Sequence, residues 1–592
     1  MDEKVVRIGC ASAFYGDSQL AARQLVDKGE LDYLVFDYLA EVTMGILAKA
    51  RARDERLGFA VDFVTVAMRD VLADCAAKGI KVIANAGGVN VPACMAALQK
   101  LAADSGLSLN IAGVYGDDLS PRQGELAERG LPEMESGAPL PDKLASINAY
   151  LGAKPIAEAL AAGADIVVTG RVVDSAVVIA PLMHEFGWAD NDYDRLAQAA
   201  LAGHVLECGA QCTGGNFTDW QLVPDFSTMS YPIAEVSGDG SFVVGIAPGT
   251  GGMVSSATVA EQILYEIGDP ANYLLPDVAC DFSDVRLQEL GDNRLRVSNA
   301  RGRAPGDSYK VCATWVDGYR LMGTAFIGGL RAPAKARASL NAWVSRCQQV
   351  FVERGWGDFK QVCIEIIGAE DTYGPHARNS GVREVMAKYG LHHDSREALI
   401  FASHEFAYLA TSAAPGMSGF GAGRVSPSPL IRVHSALLPK TEVPVMVQLN
   451  EQVISERCYP GESSAPAPGR RYEAFTTTAD GALRRVTLEQ LAYARSGDKG
   501  NYANIGVIAR RADYLPYIAS ALSEEAVAEY FAHLVAGRVQ RFDVPGFKAF
   551  NFLMSEALGG GGSASLRVDS QGKALAQMLL SMELSVPVDL VD

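Results

Sequence analysis

Up to about residue 220, short solid runs of apolar residues alternate with longer segments whose apolar positions recur every three or four places. Val5 to Ser18 reads as a buried strand running into a small-residue turn, with a helix over Gln19 to Lys28. Further buried strands are predicted at Leu31 to Phe36, Ile80 to Ala84, Leu109 to Val114 and Asp165 to Thr169, and helices at Leu144 to Ala162 and Tyr193 to Ala202. Strands alternating with helices predict a mostly parallel sheet. Polar turns follow these strands: Asp37-Tyr38-Leu39-Ala40-Glu41, Asn85-Ala86-Gly87-Gly88, Asp117-Asp118 and Gly170-Arg171-Val172-Val173-Asp174. Ligands of parallel sheets bind outside the carboxyl ends of the strands, where these turns fall.

From Leu222 the pattern changes to β-branched runs punctuated by turns, as over Ser241 to Ala247 and residues 278–331. Helices are predicted at Val259 to Ile267, Ala334 to Arg354 and Val382 to Tyr389, and a strand at Gln361 to Ile367. The small-residue stretch Ala413 to Arg424 is expected to close over a cleft or form a subunit contact. The fold class expected is α/β: a mostly parallel-sheet N-terminal region (1–221) and a central α+β region (222–450). A Pro/Gly/Ser linker (451–475) and a ferredoxin-like α+β C-terminal domain (476–592) follow.

The chain of 592 residues is too long for one core. Its formal charge of -18 argues against nucleic-acid or anionic-membrane partners, which require a Lys/Arg excess. The N-terminus runs directly into strand-like sequence, no apolar run nears the ~20 residues of a membrane span, and ten cysteines are scattered without a CxxC pair. These features predict a cytoplasmic protein with reduced thiols and no membrane partner.

Chemistry concentrates in residues 203–220, where His204, Glu207, Cys208, Gln211, Cys212, Thr213, Asn216 and Asp219 crowd around glycines. Three readings compete: a metal site, whose spacing matches no standard zinc pattern; a nucleophilic Cys208; and an acid–base pocket. The third is preferred, with Glu207 carrying the proton, Gln211, Thr213 and Asn216 orienting a carbonyl or carboxylate, and no metal. Gly16, Gly87 and Gly88 suit either a phosphate cradle or tight turns. Neither GxGxxG nor GxxxxGK[ST] occurs, so no cofactor is expected. Arg171 pairs with Asp174 or grips an anion with its planar fork. Gly249-Thr250-Gly251-Gly252 precedes a helix, where amides face an anion or a capped turn forms. Arg495, Asp498, Lys499, Asn501 and Asn504 are more polar groups than a hairpin needs, and Gly559 to Gly562 is expected beside the same cleft.

Asp32-Tyr33-Leu34, Asp37 to Glu41, Asn85 to Asn90, Thr169-Gly170-Arg171-Val172, Glu207-Cys208-Gly209-Ala210-Gln211 and Gly249 to Gly252 together resemble the acyclic terpene utilisation AtuA family. Arg495-Ser496-Gly497-Asp498-Lys499-Gly500-Asn501 resembles that family's companion ferredoxin-fold domain. Cys212 departs from the alanine expected there, which weakens a shared role for a Cys208/Cys212 pair. The resemblance implies citronellol and geraniol breakdown through branched acyl-CoA thioesters, alongside acyl-CoA carboxylases. The expectation is a hydratase or lyase acting on an acyl-CoA or carboxylate. Glu207, Cys208 and Gln211 are its catalytic candidates, and Arg171 or Lys499 holds the anionic end. Asn85, Gly87, Gly88, Asp174, Asn216, Gly249, Thr250, Gly251, Gly252, Asp498 and Asn501 complete the substrate-binding set. Rival readings are a Cys208-dependent hydrolase or acyl-transfer enzyme and a non-catalytic partner of an acyl-CoA carboxylase. A homo-oligomer is also expected.

Overall fold

The computed structural model describes residues 4–419, 423–462, 466–473, 475 and 482–591. Parts of the expected loop over 413–424 (420–422) and of the expected linker over 451–475 (463–465 and 474) therefore lie outside the described residues.

Five parallel strands form the centre of the largest sheet: β1 (Val5–Cys10), β2 (Tyr33–Phe36), β3 (Lys81–Ala84), β4 (Ile111–Tyr115) and β6 (Ile166–Thr169). Their order is β1-β2-β3-β6-β4: the chain steps outward, skips one position and returns to insert β6. β2 and β6 are buried along their whole length, as strands covered by helices on both faces must be. Antiparallel strands extend the sheet on both sides. Ile233–Ser237 pairs with β1, and Val445–Leu449 with β4. The sheet thus draws strands from both sides of residue 221.

The remaining strand of the N-terminal stretch, β5 (Ser146–Ala149), leaves this sheet and pairs antiparallel with the long strand Ser308–Gly328. The single helix expected over Leu144 to Ala162 is therefore a strand followed by the helix Lys154–Ala161, with Pro155 at the helix start. Proline suits that position because its missing N–H would be unpaired there anyway. The expected helix Val382 to Tyr389 is the strand Glu384–His393, between Gln361–Ile367 and Ser308–Gly328. It is buried over its last seven residues, so the two-residue alternation that marks a half-exposed strand is missing. Gln452–Arg457, expected in a linker, is an edge strand beside Val445–Leu449.

The C-terminal ferredoxin-like domain holds a four-stranded antiparallel sheet built from two hairpins. Ala492–Lys499 and Tyr502–Ala509 turn at Gly500-Asn501, with Gly500 at φ 61°. This hairpin packs against helix α2 (Ser256–Leu264) and the residues after it. The fit is close: a Cβ at Gly497 would lie 2.6 Å from Glu266 Cγ. Among the described residues no helix is long and apolar enough to cross a membrane.

Candidate active site

The carboxyl ends of the parallel strands converge on a buried polar cluster. Asp37 follows β2 and is 6% exposed; Asn85, fully buried after β3, donates to Asp37 Oδ1 at 2.5 Å and accepts from Tyr38 N at 2.7 Å. Asp117 follows β4 and accepts from Arg171 N at 2.8 Å and Asn148 Nδ2 at 2.9 Å through one oxygen. Gly170 is needed here, since a Cβ would meet Asp117 Oδ1 at 2.2 Å. After β6, Arg171 is 2% exposed, pairs with Asp174 at 2.6 Å and stacks over the Tyr150 ring at 4.1 Å. Tyr150 donates to Glu41 Oε1 at 3.0 Å, which Lys310 approaches at 3.5 Å from the antiparallel sheet.

These contacts set the charges. Burial and the nearby Asp174 push Asp37 well above the usual carboxylate range, while burial pushes Asp117 up from its ordinary 3.8 to about 7. Burial works the same way on Glu41, but Lys310, Lys499 and Arg171 outweigh it and hold that carboxylate well below its ordinary value.

Helix α1 (Tyr193–Glu207) brings the central window to this cluster. Gly203 lets it pass the Arg171–Ser175 loop, since a Cβ would meet Ser175 Cβ at 2.6 Å. The glycine thus admits a neighbouring loop rather than a ligand. In the next residue, His204, Nδ1 lies 2.9 Å from Glu207 Oε1 one turn on, and Nε2 lies 3.1 Å from the Ile263 carbonyl. A carbonyl only accepts, so Nε2 carries hydrogen. One further proton then lies between Nδ1 and Oε1, either on the imidazolium or on the carboxylic acid. Burial lowers the His204 value and Glu207 raises it, with the increase prevailing; burial raises Glu207 against the opposing pull of His204. Both ring nitrogens are engaged, so His204 is unavailable to a metal while these bonds stand. Glu207 Oε2 is buried and has no hydrogen-bond partner among the described residues. An unpartnered carboxylate oxygen is costly and marks a place where a ligand group or water belongs.

The C-terminal domain completes the cluster. Lys499, at the hairpin end, pairs with Glu266 at 3.3 Å, and Lys573 reaches Asp498 at 2.8 Å and Glu266 at 3.4 Å. Burial disfavours charge on Lys499, yet Glu266, Glu41 and Asp174 hold its value well above normal. Its side chain keeps 49% of its exposure, so a charged amine remains open to solvent at the edge of the cluster.

Residues 6–449 match the acyclic terpene utilisation family protein AtuA, and residues 486–585 match the AtuA ferredoxin-like domain. The chain belongs to the AtuA family. No curated protein and no solved structure matches it. Glu266 lies in the first matched segment and Lys499 in the second, so both segments contribute to one cluster.

The other candidates fall in several places. Cys208 follows α1, but burial, Glu207 and Glu266 hold its thiol well above its ordinary value, which opposes thiolate formation. Gln211 accepts from Arg495 Nη1 at 2.8 Å and so faces the domain junction. Asn216 is an exposed turn residue at φ 57°. Gly87 and Gly88 make close backbone approaches, Gly87 N donating to Thr169 O at 3.0 Å. The Gly249–Gly252 loop packs against residues 224–230: Gly251 and Gly252 donate to the Thr228 and Pro224 carbonyls, and the Thr250 hydroxyl donates to Ala247 O. The following helix is capped by Ser255 and Thr258, and Ser256 N donates to Glu289. These amides are committed within the fold. Asn501 accepts from Gly560 N at 2.9 Å and holds the glycine-rich loop to the hairpin.

Asp37, Glu41, Tyr150, Glu266, Lys310 and Lys573 join the cluster without having been candidates. Asp37 and Glu41 carried a signal, the acidic turn after β2. Tyr150, Lys310 and Lys573 lie on elements whose local patterns carry no sign of it.

Proposed function

We propose that this AtuA-family protein is a catabolic enzyme of the hydratase/lyase type acting on branched, terpenoid-derived acyl-CoA or carboxylic-acid substrates. The observation that carries this reading is the half-occupied Glu207 carboxyl, with Oε1 on His204 and Oε2 buried and unpartnered. A group so placed exchanges a proton with a substrate carbon while His204 shares the charge. In hydration, water adds across a double bond next to the carbonyl. Its hydroxyl goes to the far carbon, and a proton passes through Glu207 to the near one. Lys499, charged and half-exposed, stabilises the negative charge that develops on the carbonyl oxygen. Arg171, held by Asp174, Val172 O and the Tyr150 ring, orients the strand-end cluster, and its buried Nε has no hydrogen-bond partner among the described residues.

The test is exchange of the proton adjacent to the carbonyl in D2O over a panel of branched acyl-CoA thioesters and free acids. Glu207→Gln is expected to lower exchange by about 10²–10⁴-fold while ligand binding persists. Exchange at the wild-type rate in that variant removes Glu207 from the mechanism.

A further inference from the structure

A cleft of about 420 Å³ lies between the long strand Ser308–Gly328 and the loop that follows the glycine-rich turn. Arg320, Met322 and Thr324 alternate along the strand and form its floor, while Gly562, Ser565 and Arg567 lie opposite. Lys388, directly across from Thr324 in the sheet, also lines it but is neutralised by Glu365 at 2.5 Å.

The two arginines are different. Arg320 Nη1 donates to the Ser563 carbonyl at 2.9 Å, and Arg567 donates to the carbonyls of Ala557 at 2.7 Å and Leu534 at 2.9 Å. Among the described residues neither pairs with a carboxylate, and no Asp or Glu lines the cleft. Carbonyls satisfy hydrogen-bond donors but leave the positive charge uncompensated, a costly arrangement in a partly desolvated cleft. Burial accordingly pushes Arg320 below its ordinary value. Two guanidinium groups beside serines suit phosphate oxygens, which accept several charge-assisted bonds at once.

The cleft also borders the proposed active site. A Cβ at Gly562 would lie 3.3 Å from Asp498 Oδ2, and Gln571 reaches the same oxygen at 3.5 Å. Asp498 immediately precedes Lys499.

We propose that this cleft binds a phosphoryl group, and that the group is the phosphate-bearing end of the acyl carrier whose thioester lies at Glu207. The carrier assignment rests on the function proposed above; the phosphoryl chemistry rests on the arginines alone. Calorimetric titration of the full chain with coenzyme A, and separately with inorganic phosphate, at low salt tests it. Coenzyme A is expected to bind the wild type and Glu207→Gln alike, and at least tenfold more weakly in Arg320→Gln and Thr324→Glu. Thr324 is exposed on the cleft, so its variant adds an opposing carboxylate without removing a buried contact, and serves if Arg320→Gln does not fold. Equal coenzyme A affinity in the wild type and Thr324→Glu, or no binding of either probe, overturns the proposal. Phosphate binding that the variants abolish, with no coenzyme A binding, assigns the cleft to free phosphate and overturns the carrier role. Proton exchange at the wild-type rate in Glu207→Gln, with this binding pattern intact, sinks the acid–base reading alone.

Discussion

At the scale of single residues, the polar cluster keeps ionisable groups out of water and gives each a different partner. Asp37, Asp117, Glu41 and Glu207 are four carboxyl groups in four environments. Three are driven upward by burial and one is held down by cations. Asp117 offers a direct check. It is raised from 3.8 to about 7 in the folded chain, so between those values the native state holds a proton that the unfolded chain has released. Stability from this group is present at low pH and is lost as pH rises toward 7. Asp117→Asn, with its amide oxygen keeping the bonds from Arg171 N and Asn148, is expected to flatten the fall in stability between pH 4 and 7. Denaturant unfolding across that range reads the difference; an unchanged slope contradicts it.

At the scale of elements, the contact between α2 and the C-terminal hairpin holds the C-terminal domain against the cluster. Arg495, 5% exposed, pairs with the fully buried Glu261 of α2 at 3.0 Å and donates to Gln211 and the Gly215 carbonyl at 2.8 Å each. Asn504 bridges Leu264 O and Glu266 N, and Arg510 grips Asp219 through both oxygens. Removing one partner of a buried pair leaves a charge without water or counter-ion. Arg495→Met is expected to cost about 3–5 kcal/mol of stability. Glu261→Gln in the same chain is expected to recover part of it, which a double-mutant cycle measures. Additive losses would show that the pair does not couple. The polar hairpin read from the sequence thus divides by role. Arg495 and Asn504 dock the domain, Asp498 and Lys499 pair with Lys573 and Glu266, and Asn501 secures the glycine loop.

At the scale of the whole molecule, one polar cluster is assembled from three parts: the parallel sheet's strand ends, the antiparallel sheet that brings Lys310 and Tyr150, and the ferredoxin-like domain that brings Lys499. Lys499 is the open member of this set, with 49% side-chain exposure, so its role separates from stability. Lys499→Gln is expected to weaken substrate binding and turnover while leaving the thermal midpoint nearly unchanged. A large drop in the midpoint would make Lys499 a docking residue instead.

Much of this was legible locally. Buried runs and helical spacing marked the five parallel strands, and the turn after each marked where polar residues gather, because a β-strand's neighbours in sequence are also its neighbours at the sheet's edge. Glu207 stood out because a carboxylate among glycines and thiols serves packing poorly. The strand Glu384–His393 was misread because full burial on both faces erases the alternation that distinguishes a strand. The sequence by itself determined the alternating fold, the ferredoxin-like tail and the strand-end turns. Only the tertiary structure decided which charges meet. Lys310, Lys499 and Arg171 converge on Glu41 from distant positions in the chain, and a carbonyl 59 residues away holds a hydrogen on His204 Nε2. Those pairings depend on distances through space, and in a low-dielectric cluster it is such distances that set each group's proton.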